Sequence, residues 1–225
     1  MERPSRSKEG KMIERTSGGM RQTYQNPLVC EIRLLYSGDC MIRFADGTIK
    51  TAQIPSDPLY VAQYGIPLSE DGKFMAIGSW ENGVSVYSTE TCNLLWRCRT
   101  ARIRQVFIYR SCVIAVKHGT GLLQFDLETG RKLREVRSTT VEAAYLLRDG
   151  MALVCSIKGK CALVRLEDLA VERLFPKAAI NPNHCLSLVI TGASAEKDRI
   201  IVQGFESWCN GNPADRENRP FQRIL

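Results

Sequence analysis

From Pro27 onward the chain is written in short runs in which apolar and polar residues alternate, separated by Gly, Asp, Ser and Thr. Alternation with a period of two marks half-buried strands, and the small polar residues between runs mark tight turns. The clearest stretch predicts four strands in succession: Ile103 to Tyr109, Cys112 to Val116, Leu122 to Leu127 and Lys132 to Arg137. Turns fall between them at Arg110-Ser111, His118-Gly119-Thr120-Gly121 and Glu128-Thr129-Gly130-Arg131. The same order is predicted for Tyr60 to Leu68, Phe74 to Gly78, Val84 to Ser88 and Leu94 to Arg99. It returns in Val141 to Leu147, Met151 to Ile157, Ala162 to Leu166 and Val171 to Phe175. A looser first unit has Val29 to Tyr36, Met41 to Phe44 and Ile49 to Ile54, and a fifth offers Cys185 to Ile190 and Ile200 to Val202 before it stops. The last strand of each full unit carries charge, at Arg97, Arg99, Arg134, Arg137, Glu172 and Arg173, as an exposed sheet edge does.

The units are copies in wording as well as in rhythm. Gly83-Val84-Ser85-Val86-Tyr87-Ser88-Thr89-Glu90-Thr91-Cys92-Asn93-Leu94-Leu95-Trp96 returns 38 residues later as Gly121-Leu122-Leu123-Gln124-Phe125-Asp126-Leu127-Glu128-Thr129-Gly130-Arg131-Lys132-Leu133-Arg134. A four-strand unit recurring about every forty residues is the signature of propeller blades. The expected fold class is all-β and β-propeller-like, with about four to five four-stranded antiparallel blades in a ring left incomplete or open. Within the repeat, Asp126 is placed to accept from backbone amides two or three residues on, and Gly130 to take a positive φ, which closes the turn tightly. Trp96 is expected to bury its ring between adjacent blades.

The pattern Gly-x-φ-x-φ-Asp/Ser-x-x-Thr-Gly-x-x-Leu-Trp resembles the blade motif of the quinoprotein-like propellers, a superfamily similar in blade layout to the WD-repeat proteins. Gly121 to Leu133 matches most fully, keeping Asp126, Thr129 and Gly130, whereas Gly83 to Trp96 keeps the tryptophan but has Ser88 and Cys92 in place of Asp and Gly. The resemblance implies the propeller fold. Quinoprotein dehydrogenases of that superfamily hold calcium and a quinone in a larger ring, with an Asp base and often adjacent cysteines; this chain has no adjacent cysteine pair. The shared residues build blades, so the resemblance implies shape rather than activity.

Composition bounds the rest. With 225 residues, 44% hydrophobic and 24% charged, the chain is globular and long enough for one all-β domain, expected over residues 25–205. Residues 1–24 read as a flexible basic and polar tail, and 206–225 as a loop-like C-terminal tail. A formal charge of +7 admits an acidic protein face or nucleic acid as partner. Nine cysteines, an odd number with no Cys-x-x-Cys spacing, fit reduced thiols in a cytoplasmic setting. The start, Met1-Glu2-Arg3-Pro4-Ser5-Arg6, predicts no apolar leader, and no run approaches the ~18 apolar residues of a membrane span.

Candidate chemistry is sparse. The two histidines, His118 and His184, lie 66 residues apart without spaced partners, so structural or solvent-facing roles are expected and no metal site. No nucleophile stands beside a base, and no Gly-rich loop opens a helix. No catalytic residue and no cofactor is therefore expected. The turns between second and third strands, Trp80-Glu81-Asn82, Lys117-His118-Gly119-Thr120 and Lys158-Gly159-Lys160, fall on one rim if the blades are equivalent. That makes Trp80, Lys117, His118, Lys158 and Lys160 candidates for contact with a partner; the alternative is a solvated rim of turn residues. The expected function is a non-catalytic protein-interaction scaffold, engaging another protein by this rim or by strand addition at an open sheet edge. The alternatives are a quinoprotein-like enzyme and a nucleic-acid-binding protein.

Overall fold

The computed structural model describes residues 5–6, 12–16, 19–54, 65–137, 141–156, 159–181, 187–196, 199–209 and 216–225. They form antiparallel sheets in which sequence neighbours pair. The first sheet runs β1 (Ser5–Arg6), β2 (Met12–Thr16), β3 (Gly19–Thr23), β4 (Val29–Leu35), β5 (Asp39–Phe44) and β6 (Ile49–Gln53). The second is β7 (Phe74–Ser79), β8 (Gly83–Ser88) and β9 (Leu94–Cys98); the third is β10 (Ile103–Tyr109), β11 (Cys112–Lys117), β12 (Gly121–Asp126) and β13 (Lys132–Arg137). The fourth is β14 (Val141–Leu146), β15 (Met151–Ser156), β16 (Cys161–Arg165) and β17 (Val171–Phe175). A helical turn α1 (Lys177–Ile180) precedes the fifth, β18 (Ser187–Glu196), β19 (Arg199–Cys209) and β20 (Arg216–Ile224). Of the expected strand Tyr60 to Leu68, residues 60–64 lie outside the described residues, and Leu68 makes a single bridge to Met75.

These sheets are the blades of a β-propeller-like, all-β fold, grouped into two compact units. One is Met1–Lys117 with Leu123–Leu133, the other His118–Leu122 with Arg134–Leu225. In the first unit, Ile32, Leu34 and Ile42 of the first sheet pack with Met75, Ile77 and Tyr87 of the second. On the other face of the second sheet, Ala76, Val84 and Val86 pack with Val106, Val113 and Phe125 of the third. In the second unit Leu153, Cys155 and Cys161 pack with Leu188, Ile200 and Val202. Each core is thus a layer between successive sheets. That is why β8 is buried at five successive residues: both its faces meet a neighbour; β12 is buried over five residues as well. Tyr87 and Phe125 hold the same place in their strands and are 2% and 1% exposed.

The blade turns repeat more faithfully than the residues that make them. Ser88, Asp126 and Arg165 each donate a backbone N–H to the carbonyl five residues on, at Asn93, Arg131 and Ala170, 2.9 to 3.0 Å away. The residue after each, Thr89, Leu127 or Leu166, donates back to the preceding hairpin at Lys73, Ser111 or Gly150. The fourth residue on is left-handed in every case: Cys92 at φ 60°, Gly130 at 69° and Leu169 at 57°. Asp126 accepts from the Thr129 N–H at 2.8 Å and its hydroxyl at 2.6 Å, as the sequence predicts. The fourth sheet reverses the polarity of this clasp. Arg165, in the place of Asp126, donates through Nε and Nη2 to Asp168, in the place of Thr129, at 2.9 Å each. The Arg165 guanidinium holds the Asp168 carboxyl at about 2.

Both ends depart from expectation. Within 1–24, read as a tail, β2 and β3 extend the first sheet, with β3 paired to β4 from Gly19↔Leu35 to Thr23↔Glu31. The reason is that β3 buries Met20 and Gln22, and Gln22 is polar only in name. Its Oε1 accepts from Ile66 N at 2.8 Å, and the Tyr24 hydroxyl donates to Ile66 O at 2.7 Å. Gln22→Ala would leave a buried N–H unmatched. It is expected to cost about 2 kcal/mol in urea unfolding, whereas a loose tail would register no change.

Within 206–225, read as loop-like, β19 continues through Trp208 and β20 adds a third strand. Glu206 is 6% exposed and ion-paired to Arg223, and Trp208 Nε1 donates to Glu206 Oε2 at 3.2 Å. Glu206 and Arg223 thus neutralise one another inside the segment. β20 is the outer strand of its sheet among the described residues, and Pro220, opposite Phe205, sits in its middle. β18 runs on to Glu196, beyond Ile190, where the sequence pattern ends that strand.

Candidate functional site

The five residues expected on one rim are placed as follows. Trp80 is half-buried in the β7–β8 turn, where its carbonyl accepts from Arg102 N at 2.6 Å. Lys117 ends β11. His118 opens the next turn, and its Nδ1 lies 3.1 Å from Glu142 Oε2 of β14. Lys160 is exposed just before β16, its N–H donating to Ser156 Oγ at 3.0 Å; Lys158 lies outside the described residues. The structure brings His118 to a carboxylate, an arrangement the sequence reading did not contain. Gly119 N donates to Val141 O at 3.0 Å and fixes this turn on β14. Among the described residues, no three His, Cys, Asp and Glu side chains are grouped to hold a metal ion.

A stronger constellation lies on β3, β4 and β5. Arg21 stands opposite Arg33, and Glu31 opposite Arg43, with all four side chains on one face of the sheet. Like charges directly opposed destabilise a ladder unless something separates them. Here Glu31 does so. Its Oε2 accepts from Arg21 Nη2 at 2.7 Å and Arg43 Nη2 at 2.8 Å, and its Oε1 from Arg33 Nε at 2.5 Å. The carboxylate is 3% exposed, whereas the arginine side chains are 40%, 49% and 46% exposed for Arg21, Arg33 and Arg43. Glu14 adds a longer contact to Arg21, at 3.8 Å. The register shift between Val29 and Glu31 sets Glu31 across from Arg43.

Burial pushes the Glu31 carboxyl up, but hydrogen bonds from Arg21, Arg33 and Arg43 outweigh it and hold the group at about 2. The folded value lies below the unfolded one, about 4.3, so this stabilisation is complete above that pH and is lost as pH falls toward 2. Allowing for screening at half-exposed arginines, it amounts to about 2 kcal/mol. Urea midpoints measured between about pH 5 and pH 2 should therefore fall more steeply for the wild type than for Glu31→Gln.

The sequence reading missed this cluster, although part of the signal was present. Glu31-x-Arg33 puts both residues on one face of a strand, and the short Ser37-Gly38-Asp39 turn carries Arg43 back beside them. Arg21 was hidden because its segment read as a tail.

No family model matches the sequence, and no curated protein matches it. Solved structures do. A chain in the crystal structure of a mitotic checkpoint complex is similar with a TM-score of 0.60 at 15% identity, over 85% of this chain and 60% of that one. BamB from Moraxella catarrhalis is similar with a TM-score of 0.51 at 10% identity, over 88% of this chain and 74% of that one. This chain thus spans about three-fifths of the length of the checkpoint-complex chain. The likeness shows a propeller-like fold.

Proposed function

We propose that this chain is a non-catalytic protein-interaction module of propeller type. The observation that carries the reading is the blade architecture it shares with a chain of the mitotic checkpoint complex, a structure described as a complex. The fate of the repeated polar residues supports it: Ser88, Asp126, Thr129, Arg165 and Asp168 are engaged in closing blade turns. The arginine side chains on the first sheet, by contrast, are about half-exposed. The partner is another protein. It is met through a blade face more readily than through the β20 edge, where Pro220 lacks an N–H and Glu217 and Arg219 are exposed. The module works in a reducing, cytoplasmic setting, a reading supported by the free thiols at Cys40, Cys155 and Cys161.

Affinity capture of the full chain from its native host, washed at moderate salt and weighed by band stoichiometry, tests the reading. One protein retained in near-equal amount is the expected result. Retained mass that is nucleic acid, or no stoichiometric protein, would count against it.

A further inference from the structure

The geometry points to a binding site for a carboxylate-rich, Asp/Glu segment of a protein partner on the outer face of the first sheet, gripped by Arg21, Arg33 and Arg43. This deepens the interaction-module reading and rests on it. Three guanidiniums converge on one carboxylate, so three positive charges face one negative and the cluster keeps an excess of two; Glu14 offsets part of it on the β2 side only. Each guanidinium has five N–H donors and gives one to Glu31; the Arg21 Nε is buried, and the Arg33 and Arg43 side chains are half-exposed with further donors to give.

Surface arginines ordinarily sample many rotamers, and ordering them opposes binding. Here the buried carboxylate already holds the forks in place, so an incoming carboxylate meets donors that are positioned before it arrives. Arginine forks match carboxylates in a planar, two-bond geometry. Apolar contact lies alongside: Met41 stands opposite Arg33, and Ile49, 54% exposed, opposite Arg43. Arg and Met beside exposed aliphatic surface is the composition of a protein interface.

The face suits a protein better than a nucleic acid. Its outward residues on β3 to β6 include Thr23, Leu35, Met41, Ile49, Thr51 and Gln53, with no aromatic ring on which a base could stack. Asp39 on the same face and Glu14 beside Arg21 flank the three arginines with negative charge, which opposes a phosphate backbone running past them.

The probe is a fluorescein-labelled deca-glutamate peptide titrated with the full chain and read by anisotropy at low salt. Arg33→Gln with Arg43→Gln is expected to weaken binding at least about tenfold, and Glu31→Gln, whose amide oxygen can still accept from the arginines while the internal counter-charge is gone, to strengthen it severalfold. A partly unfolded variant would weaken binding in both cases, so opposite signs separate recognition from stability. Arg148→Gln with Arg199→Gln removes the same charge at exposed positions elsewhere and should change binding less than about twofold.

No binding by the wild type, equal loss in the control pair, or weaker binding by Glu31→Gln would overturn the proposal. So would a decathymidylate that binds more tightly than the peptide through the same arginines. A host protein captured equally by the wild type and by Arg33→Gln/Arg43→Gln would preserve the module reading and overturn this one. Peptide binding of the expected pattern without any captured protein would do the reverse.

Discussion

Gly83→Ala is expected to be among the most damaging single substitutions in the chain, costing about 3 kcal/mol or more. Gly83 opens β8 with φ +79°, a region that a side chain enters only with strain. Space is the larger difficulty. A methyl group there would overlap the carbonyl oxygen of Cys98 and stand 2.6 Å from the backbone nitrogen of Thr100. Those atoms belong to the end of the neighbouring strand and the residues that follow it, so relief requires the β8–β9 ladder to part where Val84 pairs with Cys98. Thermal melts should show a fall of about 6 to 12 °C, at 2 to 4 °C per kcal/mol for a chain of this size. A fall of less than about 2 °C would mean that the ladder ends there more loosely than described.

Trp96→Ala is the second large effect, at about 3 kcal/mol, from lost packing and one lost hydrogen bond. The indole reaches from β9 onto the turn after β12. Its Nε1 donates to Leu127 O at 2.8 Å, its ring stands 5.8 Å from that of Phe125, and it covers Gly130. A Cβ on Gly130 would lie 2.5 Å from the indole, so the glycine provides both the turn and the seat for the tryptophan. Trp96→Phe should recover most of the packing but not the bond to Leu127, leaving a deficit of about 1 kcal/mol. Urea midpoints followed by circular dichroism would read this series. Equal losses for Phe and Ala would show that the hydrogen bond, rather than the ring, holds the turn.

The contrast between what could and could not be read in the sequence has a physical basis. Asp126, Thr129 and Gly130 were legible because their chemistry is local: the acceptor, the donor and the permissive residue lie within five positions. The matching turn at Arg165 to Leu169 was less so, because it makes the same shape with donor and acceptor exchanged and a leucine at the left-handed position. The ends were misread because burial there is polar. Gln22 is satisfied by Ile66, 44 residues away, and Glu206 by Arg223. A pattern of apolar alternation carries no trace of such partners. The arginine cluster fell between the two cases, since β4 and β5 were foreseen while β3, which supplies Arg21, was not.

Pro220 has a consequence for how the chain behaves in bulk. A β-strand that ends a ladder ordinarily offers a row of donors to any passing strand, and fibrils grow by exploiting that row. In β20 the row is broken at Pro220, with the exposed Glu217 and Arg219 close by. Such a margin is a poor seed for cross-β growth, so concentrated solutions should lose protein to stacking of copies along this side only slowly.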